Sequence, residues 1–235
     1  MRITEIKTYV LVADNADVSL TSSAQDTILV EIYTDEGIVG YGETDTNPWV
    51  AKALIDSPGT HTMDQSMKDI LVGKDPLSVE ERWEELYIGT AMTGRRGAGV
   101  NAIGAIDMAL WDIKGKYENK PVYQLLGGNV HENITPYASL QPLGSSFEEY
   151  RDSLVEWAEK ARNLGFKAVK SEVTMNGPYA HNGMRENDDK HTLVLEAVRK
   201  TLGPEIKLMV DVQYKWNTAE DALRTVKDWA EFDIY

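Results

Sequence analysis

Apolar and polar residues alternate along the first 45 positions, as they do in strands that bury one face. Residues 2–12 alternate in this way, residues 27–34 form a second run rich in β-branched side chains, and residues 38–43 form a third. The turn sequence at 35–37 separates the last two runs. The pattern predicts a three-stranded antiparallel meander, with a polar loop at residues 13–25 between its first two strands.

The spacing of apolar residues then changes to three and four, which is the period of an amphipathic helix. The strongest such pattern predicts a helix over residues 99–117. Residues 78–81 have the sequence of a capping box and predict a helix through Leu86. A short third helix is predicted between Pro121 and Gly127.

From residue 134 onward, strand-like runs alternate with helical runs, a pattern that predicts a parallel sheet with crossover helices. The first of these helices is predicted over residues 145–164, with Trp157 and Leu164 on its apolar face. A long loop at residues 174–188 follows the second strand. The predicted strands are residues 134–140, 167–173 and 207–213, with the opening of a fourth at 232–235.

The two patterns predict two domains, an α+β domain at residues 1–128 and a β/α domain at residues 129–235. Three strand–helix units and the opening of a fourth strand cannot close a barrel of eight. We therefore expect an incomplete TIM-type (β/α) barrel, and we expect the chain to be the front part of a longer protein or a truncated product.

The composition narrows the class of protein. Hydrophobic residues make up 42% and charged residues 26% of the chain, as in ordinary soluble proteins. A net charge of −14 argues against binding to nucleic acids or anionic membranes. The absence of cysteine excludes disulfides, thiolate metal sites and cysteine nucleophiles. No signal peptide or apolar membrane span is present in the sequence, so we expect a cytoplasmic protein.

Three charged residues fall late in predicted strands. Asp211 interrupts an apolar strand, and a desolvated carboxylate is costly unless it is paired, protonated or bound to a metal. Lys170 and Glu172 lie two residues apart on the preceding strand and so share one face. The carboxyl ends of barrel strands are where catalytic residues collect. The alternatives are a structural ion pair for Lys170 and a loop-capping role for Asp211.

Three segments together resemble the enolase superfamily, in its mandelate racemase-like branch and with features of the sugar-acid dehydratases. They are residues 92–97, 102–116 and 121–128. The resemblance implies that the first domain is a capping domain on the barrel. It also implies a Mg²⁺ ion that binds a substrate carboxylate, and a base that removes the neighbouring proton to give an enediolate. In a dehydratase, hydroxide then leaves from the next carbon.

The resemblance also assigns roles to the charged residues. Asp211 matches the first metal ligand, and the next two ligands would end strands that follow Tyr235. Many relatives have Lys-x-Lys where this chain has Lys170 and Glu172. We therefore expect Lys170 to neutralise substrate or enediolate charge, and Glu172 to hold Lys170 or to bind a sugar hydroxyl. The base would then be a histidine on a later strand.

Further substrate-binding candidates lie near the predicted mouth of the barrel, and the resemblance implies that residues 13–25 and 44–49 face it. Each has a structural alternative, such as a surface ion pair or a solvated loop position. The candidates are Gln213, Arg95, Arg96, Asn47, Trp49 and His181.

The hypothesis is thus a Mg²⁺-dependent dehydratase that acts on an aldonate or aldarate sugar acid. A racemase or cycloisomerase of the same superfamily is the alternative chemistry, and a non-catalytic fragment is the alternative from another class. The resemblance implies a small-molecule substrate and a homo-oligomer, with neither nucleic acid nor membrane as a partner.

Overall fold

The computed structural model describes residues 1–18, 25–94 and 96–235. Part of the predicted 13–25 loop and the predicted site residue Arg95 therefore lie outside the described residues. Contacts divide the described chain into two compact units. The first comprises residues 1–17 and 25–130, and the second comprises residues 131–235 with Val18.

The first unit contains the predicted meander, with strands β1 (Ile3–Val12), β2 (Asp26–Thr34) and β3 (Val39–Thr44) in sequential antiparallel order. Alternation sets the buried face, because successive side chains in a strand point to opposite sides. Ile28, Val30 and Ile32 of the central strand are fully buried, while the residues between them are partly exposed.

Five helices follow in the first unit: α1 (Pro48–Asp56), α2 (Met67–Leu71), α3 (Val79–Gly89), α4 (Ala98–Glu118) and α5 (Val122–Leu125). Helices α1 and α2 were not predicted from the sequence. Helix α4 packs directly on β3, where two glycines allow the two backbones to touch. A Cβ atom at Gly42 would lie 1.9 Å from the carbonyl oxygen of Ala105, and one at Gly40 would lie 2.1 Å from that of Ala109.

The capping box predicted at residues 78–81 was wrong. Ser78 is the N-cap of α3, but its side chain makes no capping hydrogen bond, because its backbone is not in the extended conformation that aims the hydroxyl at the helix. A capping box forms instead at the start of helix α6 (Phe147–Asn163) in the second unit. There the Glu149 N–H donates to Ser146 Oγ at 3.2 Å, and the Ser146 N–H donates to Glu149 Oε2 at 3.1 Å.

The second unit contains three parallel strands in the order β4 (Ala138–Leu140), β5 (Ala168–Glu172) and β6 (Lys207–Asp211). Helices α6 (Phe147–Asn163), α7 (Asp188–Leu202) and α8 (Ala219–Val226) follow them in turn. Short 3₁₀ segments lie at His181–Gly183 and Lys227–Phe232. The predicted fourth strand is reduced to one parallel bridge, between Leu208 and Ile234.

The two faces of β5 differ in chemistry. Val169 and Val173 point toward the helices and are fully buried in a core with Tyr150, Leu154 and Val194. Ser171 lies between those two valines, and its hydroxyl has no hydrogen-bond partner among the described residues. The side chains at alternate positions lie on the opposite face.

Two residues predicted on the apolar face of α6 are not buried. Trp157 is 40% exposed and Leu164 is 68% exposed, whereas Tyr150 and Leu154 are fully buried.

The part of the chain that the structure describes contains no helix with the length and hydropathy of a membrane span.

Candidate active site at the strand ends

Lys170 and Asp211 form an ion pair near the carboxyl ends of β5 and β6. Lys170 Nζ lies 2.9 Å from Asp211 Oδ2, and each side chain is about one-third exposed, at 30% and 29%. Lys170 pairs in register with Met209, and Asp211 pairs with Glu172. The long lysine side chain therefore reaches diagonally along one face of the sheet to meet the carboxylate.

The pair holds both groups in their charged forms. The hydrogen bond to Asp211 raises the pKa of Lys170, although partial burial opposes this shift. Burial alone would raise the pKa of Asp211, but the hydrogen bonds from Lys170 and from the Gln213 N–H outweigh it and lower that pKa. Paired in this way, Lys170 is an ammonium cation, which can stabilise an anion.

Glu172 is held by a separate set of hydrogen bonds, although it shares the face of Lys170. Its side chain is buried, and Oε1 accepts a hydrogen bond from Thr174 Oγ1 at 2.6 Å. The Tyr150 hydroxyl donates to the Glu172 carbonyl at 3.1 Å and accepts from the Thr174 N–H at 2.9 Å. The expectation that Glu172 holds Lys170 is corrected, because the carboxylate that pairs with Lys170 is Asp211.

The turn after β6 has an uncommon backbone conformation. Gln213 and Tyr214 both have positive φ, 43° and 55°, and the Lys215 N–H donates to the Val212 carbonyl at 3.0 Å. Two central residues with positive φ are typical of a type I′ turn, which favours glycine, asparagine and aspartate. Side chains larger than these cost about 1–2 kcal/mol per residue there. The turn places the Gln213 N–H 3.1 Å from Asp211 Oδ1, and so orients the carboxylate.

Lys215 anchors this turn in a polar cluster that could not be predicted from the sequence. Its side chain is only 6% exposed, and Nζ lies 2.6 Å from Asp188 Oδ1 and 3.1 Å from His191 Nδ1. Asp188 also accepts hydrogen bonds from Asn176 and Thr225, both at 2.8 Å. The cluster joins the loop after β5, the start of α7, the turn after β6 and helix α8.

The cluster also shifts two pKa values strongly. Burial and the neighbouring Lys215 lower the pKa of His191 to about 4. Burial opposes the shift at Asp188, but the hydrogen bonds from Lys215, Asn176 and Thr225 lower its pKa to about 2. His191 is therefore neutral and Asp188 ionised at neutral pH.

The remaining predicted site residues have structural contacts of their own. His181 is buried, its Nε2 lies 2.9 Å from the Gly144 carbonyl, and its ring meets Tyr150 edge to face. Asn47 is the N-cap of α1 and accepts a hydrogen bond from the Val50 N–H at 3.2 Å. Trp49 is 57% exposed on α1, and Arg96 is exposed. The substrate contacts predicted for them remain predictions.

Asp211 is a suitable ligand for a hard divalent cation, but it does not make a metal site by itself. Mg²⁺ requires oxygen ligands in near-octahedral geometry. Within the described part of the chain, no three His, Asp or Glu residues come together as a possible metal site. One Asp211 oxygen is also bound to Lys170. The described residues therefore supply one ligand of the right chemistry but not a complete set of Mg²⁺ ligands.

The α+β unit is followed by a β/α unit with charged groups at its strand ends, which is where the active sites of barrel enzymes lie. Residues 6–127 match the family model for the mandelate racemase/muconate lactonizing enzyme N-terminal domain, and residues 153–235 match the enolase C-terminal domain-like model. The chain belongs to the mandelate racemase/muconate lactonizing enzyme family of the enolase superfamily.

Named relatives include two kinds of activity. The chain is 32% identical to a D-galactonate dehydratase family member of Streptomyces bingchenggensis, over 97% of this chain and 57% of the relative. It is 31% identical to the D-galactarolactone cycloisomerase of Agrobacterium fabrum, over 94% of this chain and 54% of that enzyme.

A solved structure of similar fold is that of a racemase from Streptomyces coelicolor A3(2) with bound magnesium. The TM-score is 0.79 at 25% identity, covering 99% of this chain and 60% of that one. The chain thus spans a little over half the length of the relatives it matches.

Proposed function

We propose that this chain forms the capping domain and the first three strand–helix units of a Mg²⁺-dependent sugar-acid dehydratase. The observation that carries the proposal is the Lys170–Asp211 pair at the strand ends, with Asp211 oriented by the Gln213 N–H. A relative named as a D-galactonate dehydratase family member supports the choice of reaction. The parallel order of β4, β5 and β6 supports their placement as the first strands of a barrel.

Asp211 would provide one oxygen ligand to Mg²⁺, and carboxylates from later strands of the complete enzyme would provide the others. When bound, the ion stabilises negative charge that develops on the substrate carboxylate as the neighbouring proton leaves. The magnesium bound to the Streptomyces coelicolor racemase supports this choice of metal.

Lys170 would act as a fixed positive charge toward the same anion. A preorganised cation is effective where charge develops in the transition state, and the hydrogen bond to Asp211 keeps Lys170 protonated. The base would therefore come from a later strand. Glu172, held by Thr174, would bind a hydroxyl of the sugar acid rather than move a proton.

A cycloisomerase is the second candidate, because the Agrobacterium fabrum relative carries that name at nearly the same identity. It would use the same proton abstraction with a different second step.

We further propose that the complete protein is a cytoplasmic homo-oligomer. It would act on a small sugar acid and bind neither nucleic acid nor membrane.

The test is Asp211→Asn in the complete enzyme, assayed on a panel of sugar acids with and without Mg²⁺. We expect turnover to be lost, while the melting temperature falls by no more than about 3 °C, because a partly exposed ion pair is worth about 1 kcal/mol or less. Asp228→Asn, at an exposed position in the 3₁₀ segment, is the matched control and should leave turnover unchanged. Full activity of Asp211→Asn, or wild-type activity without Mg²⁺, would refute the proposal.

A further inference from the structure

Two exposed tyrosines of the second unit contact each other. They lie in the segments that follow β5 and β6, the strands of Lys170 and Asp211. Tyr179 is 58% exposed and Tyr214 is 82% exposed, yet their rings pack edge to face with centroids 6.1 Å apart. Tyr179 lies in the loop after β5, and Tyr214 lies three residues after Asp211. Tyrosine rings combine a large apolar face with a polar hydroxyl, so this exposed pair can contact both apolar and polar groups of a ligand.

The backbone under Tyr214 is held in a costly conformation. Tyr214 and Gln213 have positive φ, at positions where glycine or asparagine would fit without strain. Strain of this kind persists only when the surrounding structure enforces it, and it clusters at functional sites. The same turn orients Asp211 through the Gln213 N–H, so the position of the ring is tied to that of the carboxylate.

The surrounding structure does enforce the turn. Lys215 is buried and paired with Asp188 at 2.6 Å, which fixes the C-terminal end of the turn to helix α7. Asn176, from the loop that carries Tyr179, donates a hydrogen bond to the same Asp188 oxygen at 2.8 Å, and Gly177 lies next to Lys215. The loop and the turn that carry the two tyrosines are therefore joined through Asp188.

We propose that Tyr214, supported by Tyr179, is a specificity-determining residue that contacts the carbon chain of the bound sugar acid. This inference rests on the proposed function, because it takes the ligand of Asp211 to be a polyhydroxy carboxylate. Such a molecule has C–H groups as well as hydroxyls, and an exposed ring in the turn that follows Asp211 would bind the C–H groups and fix the orientation of the chain.

The test measures KM and kcat of the complete enzyme with the sugar acid that the wild type converts fastest. We expect Tyr214→Leu to raise KM about five- to tenfold, the range of an aromatic contact, with a smaller change in kcat. Tyr214→Phe keeps the ring and should stay within about twofold of wild type. Tyr117→Leu changes a tyrosine of the first unit that is 52% exposed, and should leave both constants unchanged.

Gln213→Gly tests the turn independently of the ring. We expect it to raise the melting temperature by about 2–4 °C, because glycine adopts positive φ freely. In an active enzyme, a KM within twofold of wild type for Tyr214→Leu overturns the inference and leaves the proposed function intact. A wild-type enzyme inactive on every sugar acid overturns both.

Discussion

At the scale of single residues, two ion pairs join segments that are distant in the sequence: Lys170 with Asp211, and Lys215 with Asp188. Asp211 and Lys170 were identified because charges within apolar strands are rare. Their pairing depends on the strand register and on a diagonal reach of the lysine side chain, which the sequence does not specify. Lys215 and Asp188 are 27 positions apart, and only the folded loops bring them together.

His191 should make the stability of the protein depend on pH. Its pKa is lowered to about 4 in the folded state, so the unfolded chain binds more protons between pH 4 and 6.5. Stability is therefore greatest above pH 6.5 and falls as the pH drops toward 4, by up to about 3 kcal/mol. Asp188 contributes only at lower pH, since its pKa moves from 3.8 to about 2.

Urea unfolding at pH 7 and at pH 4.5 would measure this effect. His191→Gln should make the free energy of unfolding less dependent on pH over that range. His131→Gln, at an exposed position, should keep the wild-type dependence. Equal dependence in wild type and His191→Gln would contradict the assignment.

At the scale of elements, periodicity predicted the long helices and the order of strands, and failed where an element is short or its end depends on local geometry. Helices α1 and α2 were missed, although Asn47 and Pro48 have the residue types of an N-cap and a first helical position. The resemblance had assigned these residues to a substrate loop. Strand β4 is shorter than predicted, because regular pairing with β5 extends over only three residues.

The two candidate capping serines offer a matched comparison. Ser146→Ala removes a side-chain hydrogen bond to the Glu149 N–H and should lower the free energy of unfolding by about 1 kcal/mol. Ser78→Ala removes no capping bond and should change it by less than about 0.5 kcal/mol. Chemical denaturation of both variants measures the difference, and equal losses would show that the two caps are equivalent.

The contact between β3 and α4 predicts opposite effects for two glycine substitutions. Gly42→Ala would place a Cβ 1.9 Å from the Ala105 carbonyl oxygen, and should destabilise by about 3 kcal/mol or more. At Gly104 of α4 the added Cβ would meet no described atom outside its chain neighbours and the backbone of its own helix, so Gly104→Ala should stabilise by about 0.5–1 kcal/mol. Thermal unfolding distinguishes the two, and a stable Gly42→Ala variant would mean that the helix can move away from the sheet.

At the scale of the whole molecule, the proposed activity depends on residues far apart in the sequence, and this chain spans only part of its relatives. The family could be recognised because its motifs lie within residues 92–128 of this chain. The reacting groups of a barrel come from several strand ends. The complete set of metal ligands therefore could not be predicted from these 235 residues.

The 235-residue chain alone should bind Mg²⁺ weakly. Asp211 is the single proposed ligand among the described residues, and it is already paired with Lys170. Isothermal titration should give an affinity of about 1 mM or weaker. The Asp211→Asn variant of the same chain should give indistinguishable heats. Saturable micromolar binding that Asp211→Asn abolishes would mean that other residues of this chain complete the site.

In β5, a residue that affects stability, Ser171, lies directly between two residues of the candidate site, Lys170 and Glu172. Its hydroxyl faces the helices without a partner among the described residues, while Lys170 and Glu172 on either side face the other way. Since an unsatisfied buried hydroxyl costs about 1–3 kcal/mol, Ser171→Ala should make the protein more heat-resistant. A protein engineer could thus adjust thermal tolerance and reactivity at adjacent positions of β5, each with little effect on the other.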